Sequence, residues 1–303
     1  MAMKIDLEQK VIEYAKSLGI FSFDKLAIGV SGGADSMCLA YIFAKHFPLV
    51  IVHINHNLRQ TANVDEHFVK DYAKKINAKF YSKTVDLSGN KDGIENEGRK
   101  KRYAFFREIA ELESCPVLTA HNMTDSSESI IMHFLRGTSP SSVKPIESST
   151  FIESTQFFRP LSIVTKQEIL EFCKENNIEY REDETNSDTK YFRNFIRHEI
   201  LPKFGEQPVI NFADTLKEEN DFLTILATQN ADKVSNVHEF NKLHIALRRR
   251  IINLLVQSLT EKTVTKTHID AVIKMCEKNI GKKEIILPGN ITARLIDKKL
   301  VIE

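Results

Sequence analysis

The segment Leu26-Ala27-Ile28-Gly29-Val30-Ser31-Gly32-Gly33-Ala34-Asp35-Ser36 runs from an apolar stretch through a glycine pair into a polar tail, and a second apolar stretch, Met37 to Ala44, follows it. The first stretch reads as a buried strand and the second as a helix. Strand, glycine turn and helix in that order build an anion site. Two glycines let the backbone take positive φ and come close to a ligand. Unpaired N–H groups of the first helical turn, together with the dipole, then favour phosphate. Ser31 and Ser36 add hydroxyl donors. Asp35 repels phosphate unless a cation stands between them, which points to Mg²⁺. The segment lacks the Gly-Lys-Ser/Thr ending of a Walker loop and the spacing Gly-x-Gly-x-x-Gly. An ordinary helix N-cap after a tight turn is the competing reading.

Around this loop the pattern alternates. Helical spacing covers Leu7 to Leu18, Val64 to Ile76, Ile94 to Leu112, Asp125 to Arg136 and Lys166 to Asn177, while Pro48 to Ile54, Lys79 to Val85 and Pro116 to Ala120 read as strands. Such alternation predicts an α/β fold with a doubly wound, mostly parallel sheet. Ligands of such sheets sit at the carboxyl ends of the strands. Ser139 to Thr155 reads as a loop, and Phe192 to Leu201 as a helix stopped by Pro202. Composition shifts near Gly205, which divides the chain into residues 1–204 and a smaller domain, 205–303. The latter is mainly helical (212–230, 244–259, 268–279) and closes with short strands at 284–287, 291–296 and 300–302.

A net charge of +1 over 303 residues gives no global field for nucleic acid, though local basic surfaces remain compatible. Cys38, Cys115, Cys173 and Cys276 form no Cys-x-x-Cys pair, so buried reduced thiols in a cytoplasmic protein are expected rather than a cluster or zinc ribbon. The first ten residues hold no apolar signal core, and no stretch approaches the roughly 18 apolar residues of a membrane span.

Four further segments carry chemistry. His53-Ile54-Asn55-His56-Asn57-Leu58-Arg59 ends a strand beside the glycine loop. His121-Asn122-Met123-Thr124-Asp125-Ser126-Ser127-Glu128 follows another strand and opens a helix. Asp125 and Glu128 there share one helical face. Two acids at a helix start are ordinary dipole complementation; facing the same crevice as Ser31, they can also bind an amine and take its proton. Arg99 and Arg102, beside Tyr103, form either a solvated basic face or a clamp for phosphate or carboxylate. Asp183 to Asn186, followed by Tyr191-Phe192-Arg193-Asn194-Phe195-Ile196-Arg197, interleaves Arg with aromatic residues. That pattern suits RNA, whose phosphates and splayed bases are both contacted; a structural Arg–Asp network weighs equally. In Arg248-Arg249-Arg250 the three side chains leave a helix in different directions.

The hexapeptide Ser31 to Ser36 resembles the pyrophosphate-binding loop of the N-type ATP pyrophosphatases (the PP-loop superfamily), which cleave ATP between the α- and β-phosphates. The ordered set of Ser31–Ser36, His53–Arg59, Glu97–Tyr103, Ala120–Glu128, Leu135–Thr138, Arg159-Pro160-Leu161 and Asp183–Pro202 resembles the tRNA(Ile)-lysidine synthetases, in their compact form. Asn55, Asn122 and Ser126 depart from the family's usual Asp, His and Asp. The resemblance implies adenylation of the wobble cytidine of a tRNA(Ile) with a CAU anticodon, then attack by free L-lysine. ATP is then the co-substrate with Mg²⁺, and a homodimer is compatible. It implies ATP contacts from Ser31, Gly32, Gly33, Ala34, Asp35, Ser36, His53 and His121, with Asp35 facing Mg²⁺. Asp125 and Glu128 are the candidates to bind and deprotonate lysine, and Arg99 or Arg102 to meet the adenylate or lysine's carboxylate. Arg193, Asn194, Arg197 and Arg248 are the candidates to hold the tRNA. A thiolase of the same superfamily and a non-catalytic nucleotide or RNA binder are the rival readings.

Overall fold

The computed structural model describes residues 6–55, 62–85, 94–181, 192–260, 262, 264–278 and 284–303. His56 to Arg59, Asp183 to Asn186 and Tyr191, all singled out above, lie outside the described residues.

The first strands bury both faces, as their near-continuous apolar runs require of a parallel sheet. In β1 (Leu26–Gly29), Leu26 and Ile28 join one core layer and Ala27 the other. In β2 (Leu49–Asn55), Ile51 takes the first layer and Val50 and Val52 the second. The first layer packs against α1 (Leu7–Ser17), α2 (Ala34–Ala44) and, later in the chain, α6 (Lys166–Glu175). After α3 (Ala62–Lys75) and β3 (Lys79–Thr84), α4 (Ile94–Glu113) covers the second layer. Gly29 permits that cover: a Cβ there would lie 2.5 Å from Cζ of the Phe106 ring. Next come β4 (Val117–Leu118) and α5 (Met123–Leu135).

A hairpin then follows, β5 (Ser149–Ile152) and β6 (Thr155–Phe158), where the composition reads as a loop up to Thr155. Its turn hides from a glycine-based reading because Glu153 supplies the positive φ, +53°. Phe157 and Phe158 are fully buried and hold β6 in the sheet. The six strands run in the order β3-β2-β1-β4-β6-β5, with β5 antiparallel and the rest parallel. The chain goes from β1 outward to β2 and β3, then returns to β4 on the other side of β1. The switch point, where ligands gather in such sheets, therefore lies between β1 and β4.

The segment read as one helix from Phe192 is instead a single α turn, α7 (Phe192–Phe195), continued by a wider π-type turn, Ile196–Ile200, and a tight turn, Leu201–Lys203. Pro202 cannot donate a helical hydrogen bond, which accounts for the tightening.

Two compact units result, Met1–Arg136 with Pro145–Asn211, and Gly137–Lys144 with Phe212–Glu303. The boundary falls within α8 (Glu206–Gln229). The second unit contains α9 (Val237–Lys242), α10 (Ile245–Gln257), α11 (Lys266–Lys278) and an antiparallel sheet, β7 (Glu284–Leu287), β8 (Ile291–Ile296) and β9 (Lys299–Ile302). Its core includes Phe240, Ile251, Ile252, Val272 and Leu295. Among the described residues no helix is long and apolar enough to cross a membrane.

One buried acid ties the first unit together away from the switch point. Glu113, at the end of α4, accepts hydrogen bonds from Lys25 Nζ (2.8 Å), Lys79 Nζ (2.8 Å) and Tyr81 Oη (2.7 Å). Lys25, then Lys79 and Tyr81, hold its carboxyl down at about 2. A carboxyl depressed on folding adds stability above its ordinary value and loses it as pH falls through the folded value. Glu113→Gln should therefore melt several degrees below the wild type at pH 7. The difference should close between pH 4.5 and about 2. Melts by circular dichroism across that range check it, and a difference independent of pH would show that the charge plays no part.

Candidate active site

The residues after β1 form the floor of the site. Gly32 takes φ +96°, which only glycine adopts without strain, whereas Gly33 is extended at φ −74° and serves as N-cap of α2. The two-glycine expectation is thus corrected: one glycine turns left-handed and the other caps. Ser36 Oγ accepts from Ser31 N (3.2 Å) and donates to Gly33 O (2.9 Å), closing the loop on itself. The first-turn amides of α2 stay unpaired within the helix and available to an anion.

Asn122 joins this loop to the residues after β4. Its Oδ1 accepts from Asp125 N (3.0 Å), and Asp125 Oδ2 in turn accepts from Asn122 N (3.2 Å), a reciprocal cap that starts α5. Asn122 Nδ2 also donates to Asp35 Oδ1 (3.2 Å). Asp35 Oδ2 meets Lys166 Nζ at 2.7 Å. Asn122 and Lys166 therefore orient Asp35, a role that the motif reading missed. Lys166 carries no local signal; it reaches Asp35 only because α6 lies against α2.

Asp125 and Glu128 have different surroundings. Glu128 is completely buried, and both its oxygens are taken: Arg193 Nε at 2.6 Å, Arg197 Nε at 2.5 Å and Arg197 Nη2 at 3.1 Å. Asp125 keeps a looser contact, Arg193 Nη2 at 3.2 Å. Burial pushes the Asp125 carboxyl above its usual range; Arg193 opposes the shift, and Glu128 and Asp35 add to it. Arg193 and Arg197, expected at the RNA, are here joined to the acids.

The two loops open on one cavity of about 490 Å³, which Ser31, Asp35, Ser36, His53, His121, Asp125, Arg102 and Arg193 help to line. Gly32, Gly33 and Ala34 form the loop behind it. Glu128 and Arg197 back it without lining it. His53 Nδ1 donates to Val30 O (2.8 Å). His121 Nδ1 lies 3.0 Å from Thr119 Oγ1. Burial, then the charges of Arg159, Arg102, Arg99 and Arg193, pull the His121 ring down to about 3, so it is neutral at physiological pH. Arg102 and Arg99 lie over the Tyr103 ring at 5.9 and 5.2 Å, and of the two Arg102 lines the cavity. Asn194 sits on α7 between the two phenylalanines.

Two departures from the family pattern have local partners. Asn55 Nδ2 donates to Glu66 Oε2 (2.9 Å), which an Asp could not do. Ser126 Oγ accepts from Ile146 N (2.8 Å). Arg248 belongs to the second unit, where it is buried and its Nη1 pairs with Glu277 (2.9 Å).

The PP-loop domain family matches residues 3–204. Over 89% of its length the chain is 32% identical to the tRNA(Ile)-lysidine synthase of Clostridium acetobutylicum, covering 64% of that protein. Over 97% it is 30% identical to that of Clostridium perfringens, covering 70%. The chain thus spans about two thirds of the length of these relatives. Among solved structures, the U34-tRNA thiolase NcsA from Methanococcus maripaludis with its [4Fe-4S] cluster superposes with a TM-score of 0.53 at 17% identity, over 70% of this chain and 78% of that one; it shares the fold. With its PP-loop domain and a match that runs almost end to end, the chain belongs to the tRNA(Ile)-lysidine synthase family.

Proposed function

We propose that this chain ligates free lysine to the wobble cytidine of a tRNA(Ile) with a CAU anticodon, through an adenylated cytidine. One observation carries the reading: a phosphate loop and a buried carboxylate with a raised pKa line the same cavity at the switch point. The PP-loop domain implies ATP as the nucleotide.

In the first step the cytidine O2 attacks the α-phosphorus, the bond to the bridging oxygen breaks, and pyrophosphate leaves. The Ser31 loop and the first turn of α2 receive the pyrophosphate charge. Arg102, the cavity-lining arginine of α4, meets the adenylate; a planar guanidinium suits phosphate oxygens. His121, neutral and close to Thr119, acts as a hydrogen-bond partner and not as a cation.

In the second step lysine's ε-nitrogen bonds to C2, the C2–O2 bond breaks, and AMP departs with that oxygen. Free lysine has a pKa near 10.4, so its ammonium must first lose a proton. Asp125 takes it: its carboxylate lines the cavity and holds a proton more readily than an exposed one. Glu128, saturated by two arginines, positions Arg193 rather than meeting lysine.

Magnesium fits in the mode in which one carboxylate and the substrate's phosphates hold the ion, with Asp35 as the protein ligand. Among the described residues no three His, Cys, Asp or Glu side chains gather into an all-protein cage. When bound, the ion would join Lys166, whose Nζ already lies 2.7 Å from Asp35 Oδ2, in offsetting the repulsion between that carboxylate and the phosphates.

The test is pyrophosphate release from ATP by the purified chain with lysine and unmodified tRNA(Ile), omitting each in turn. Release that needs the tRNA, with labelled lysine ending in the RNA, is the expected result. Release without lysine incorporation would assign another tRNA-adenylating activity, and no release a binding module.

A further inference from the structure

We propose that Phe192 and Phe195 form a stacking platform for the anticodon base next to the one that enters the cavity; this rests on the tRNA reading above. The turn that carries them presents three sets of side chains. Ile196 is fully buried, in a small core with Ile131 and Leu201, and so fixes the turn in place. Arg193 and Arg197 grip Asp125 and Glu128, and Arg193 lines the cavity. Phe192 and Phe195, three residues apart on one face, are left 44% and 40% exposed. Their rings lie nearly parallel, 15° apart, with centroids 6.5 Å from each other.

Two large apolar side chains left open side by side forgo burial that would otherwise stabilise the chain. A pair of parallel aromatic rings on the turn that also carries the cavity-lining Arg193 is matched by a splayed base, since every base has a π-face and single-stranded RNA exposes it. Two rings are far too small for a stable protein contact, which needs about 800 Å² from each partner. The wobble cytidine must leave its stack to reach the cavity. Its neighbour then lies at the rim, within reach of the turn that carries Arg193.

The probe is an anticodon stem–loop RNA with 2-aminopurine in place of the central adenine of CAU, whose fluorescence falls on stacking. Wild-type protein should quench it. Phe192→Ala and Phe195→Ala should each weaken RNA binding roughly 10- to 100-fold and relieve the quenching. The slope of affinity against salt should not change, because no phosphate contact is lost. ATP affinity should also stay at the wild-type value, and the melting temperature should fall by only a few degrees, since each ring is already about two-fifths exposed. Phe192→Trp, which keeps a ring, should retain binding and quenching. If both alanine variants bind and quench like the wild type while the wild type transfers lysine to tRNA, the platform is refuted and the functional reading stands. Altered sedimentation with intact RNA binding would assign the rings to a second copy of the chain instead. A wild type that neither binds the stem–loop nor releases pyrophosphate with tRNA would overturn the functional reading and the platform together.

Discussion

Asp125→Asn should lower lysine incorporation into tRNA by about 10²–10⁴-fold while pyrophosphate release from ATP and tRNA continues. The substitution removes little else. Asparagine keeps an oxygen where Asp125 Oδ2 accepts the Asn122 N–H, so the start of α5 survives. It loses the charge that can take lysine's proton. Burial raises this carboxyl on folding, so the native state binds its proton more tightly than the unfolded chain does. Above that raised value the ionised form costs stability, and the cost is relieved as pH falls through it. The asparagine variant escapes this cost but turns its NH₂ group towards Arg193 and Arg197, which lie 3.2 and 3.7 Å from Asp125 Oδ1, so its melting temperature at pH 7 should stay close to the parent's. An inactive variant that melts close to the parent separates chemistry from folding. In the wild type, lysine transfer should gain rate as pH rises through the raised Asp125 value, and that limb should vanish from the residual rate of the variant. Single-turnover assays with labelled lysine measure both, and full incorporation by Asp125→Asn would remove the proton acceptor from the mechanism.

The Ser31 loop was legible in sequence because its chemistry is local: strand, glycine and helix follow one another within eleven residues. Alternating apolar runs made the parallel sheet legible for the same reason. What escaped depends on contacts between distant segments. Asn122 looked like a departure from a pattern, yet it caps its own helix through two hydrogen bonds with Asp125 and reaches Asp35 of the other strand-end loop with a third. Lys166 stands 131 residues from Asp35, and nothing near it announces the ion pair. Asp125 and Glu128 looked equivalent because spacing places both on one helical face. Their separation into a cavity-lining acid and a saturated one is imposed by Arg193 and Arg197, 65 to 69 residues further on. The arginine–aromatic alternation around them carried two meanings at once: Arg193 and Arg197 fulfil the structural one, and the exposed rings of Phe192 and Phe195 keep the nucleic-acid one open. The hairpin Ser149–Phe158 was hidden because Thr and Ser suggest a loop by composition, while Phe157 and Phe158 decide the matter by burial.

Glu128→Gln should be the most damaging conservative change for stability. Glu128 is 0% exposed, and its two oxygens hold the only carboxylate charge that Arg197 meets at less than 3.5 Å among the described residues. Breaking a buried ion pair by neutralising one member costs about 3–5 kcal/mol when the partner stays dry. The side chains of Arg193 and Arg197 are 40% and 25% exposed, so water recovers part of that, which leaves about 2–3 kcal/mol. For a unit of this size that is a fall of roughly 5–10 °C in melting temperature. The amide also turns an NH₂ group towards two guanidinium groups. Arg193, released on one side, then pairs more fully with Asp125 and holds its proton less tightly, so lysine transfer should fall as well. Adding Arg197→Met to Glu128→Gln removes one of the two stranded charges and should recover part of the lost melting temperature, a coupling that neither single variant can show. Calorimetric melts of the four proteins in this cycle measure it. Additive effects, or a Glu128→Gln variant within about 1 °C of the parent, would mean that the acid and its arginines do not hold this part of the site together.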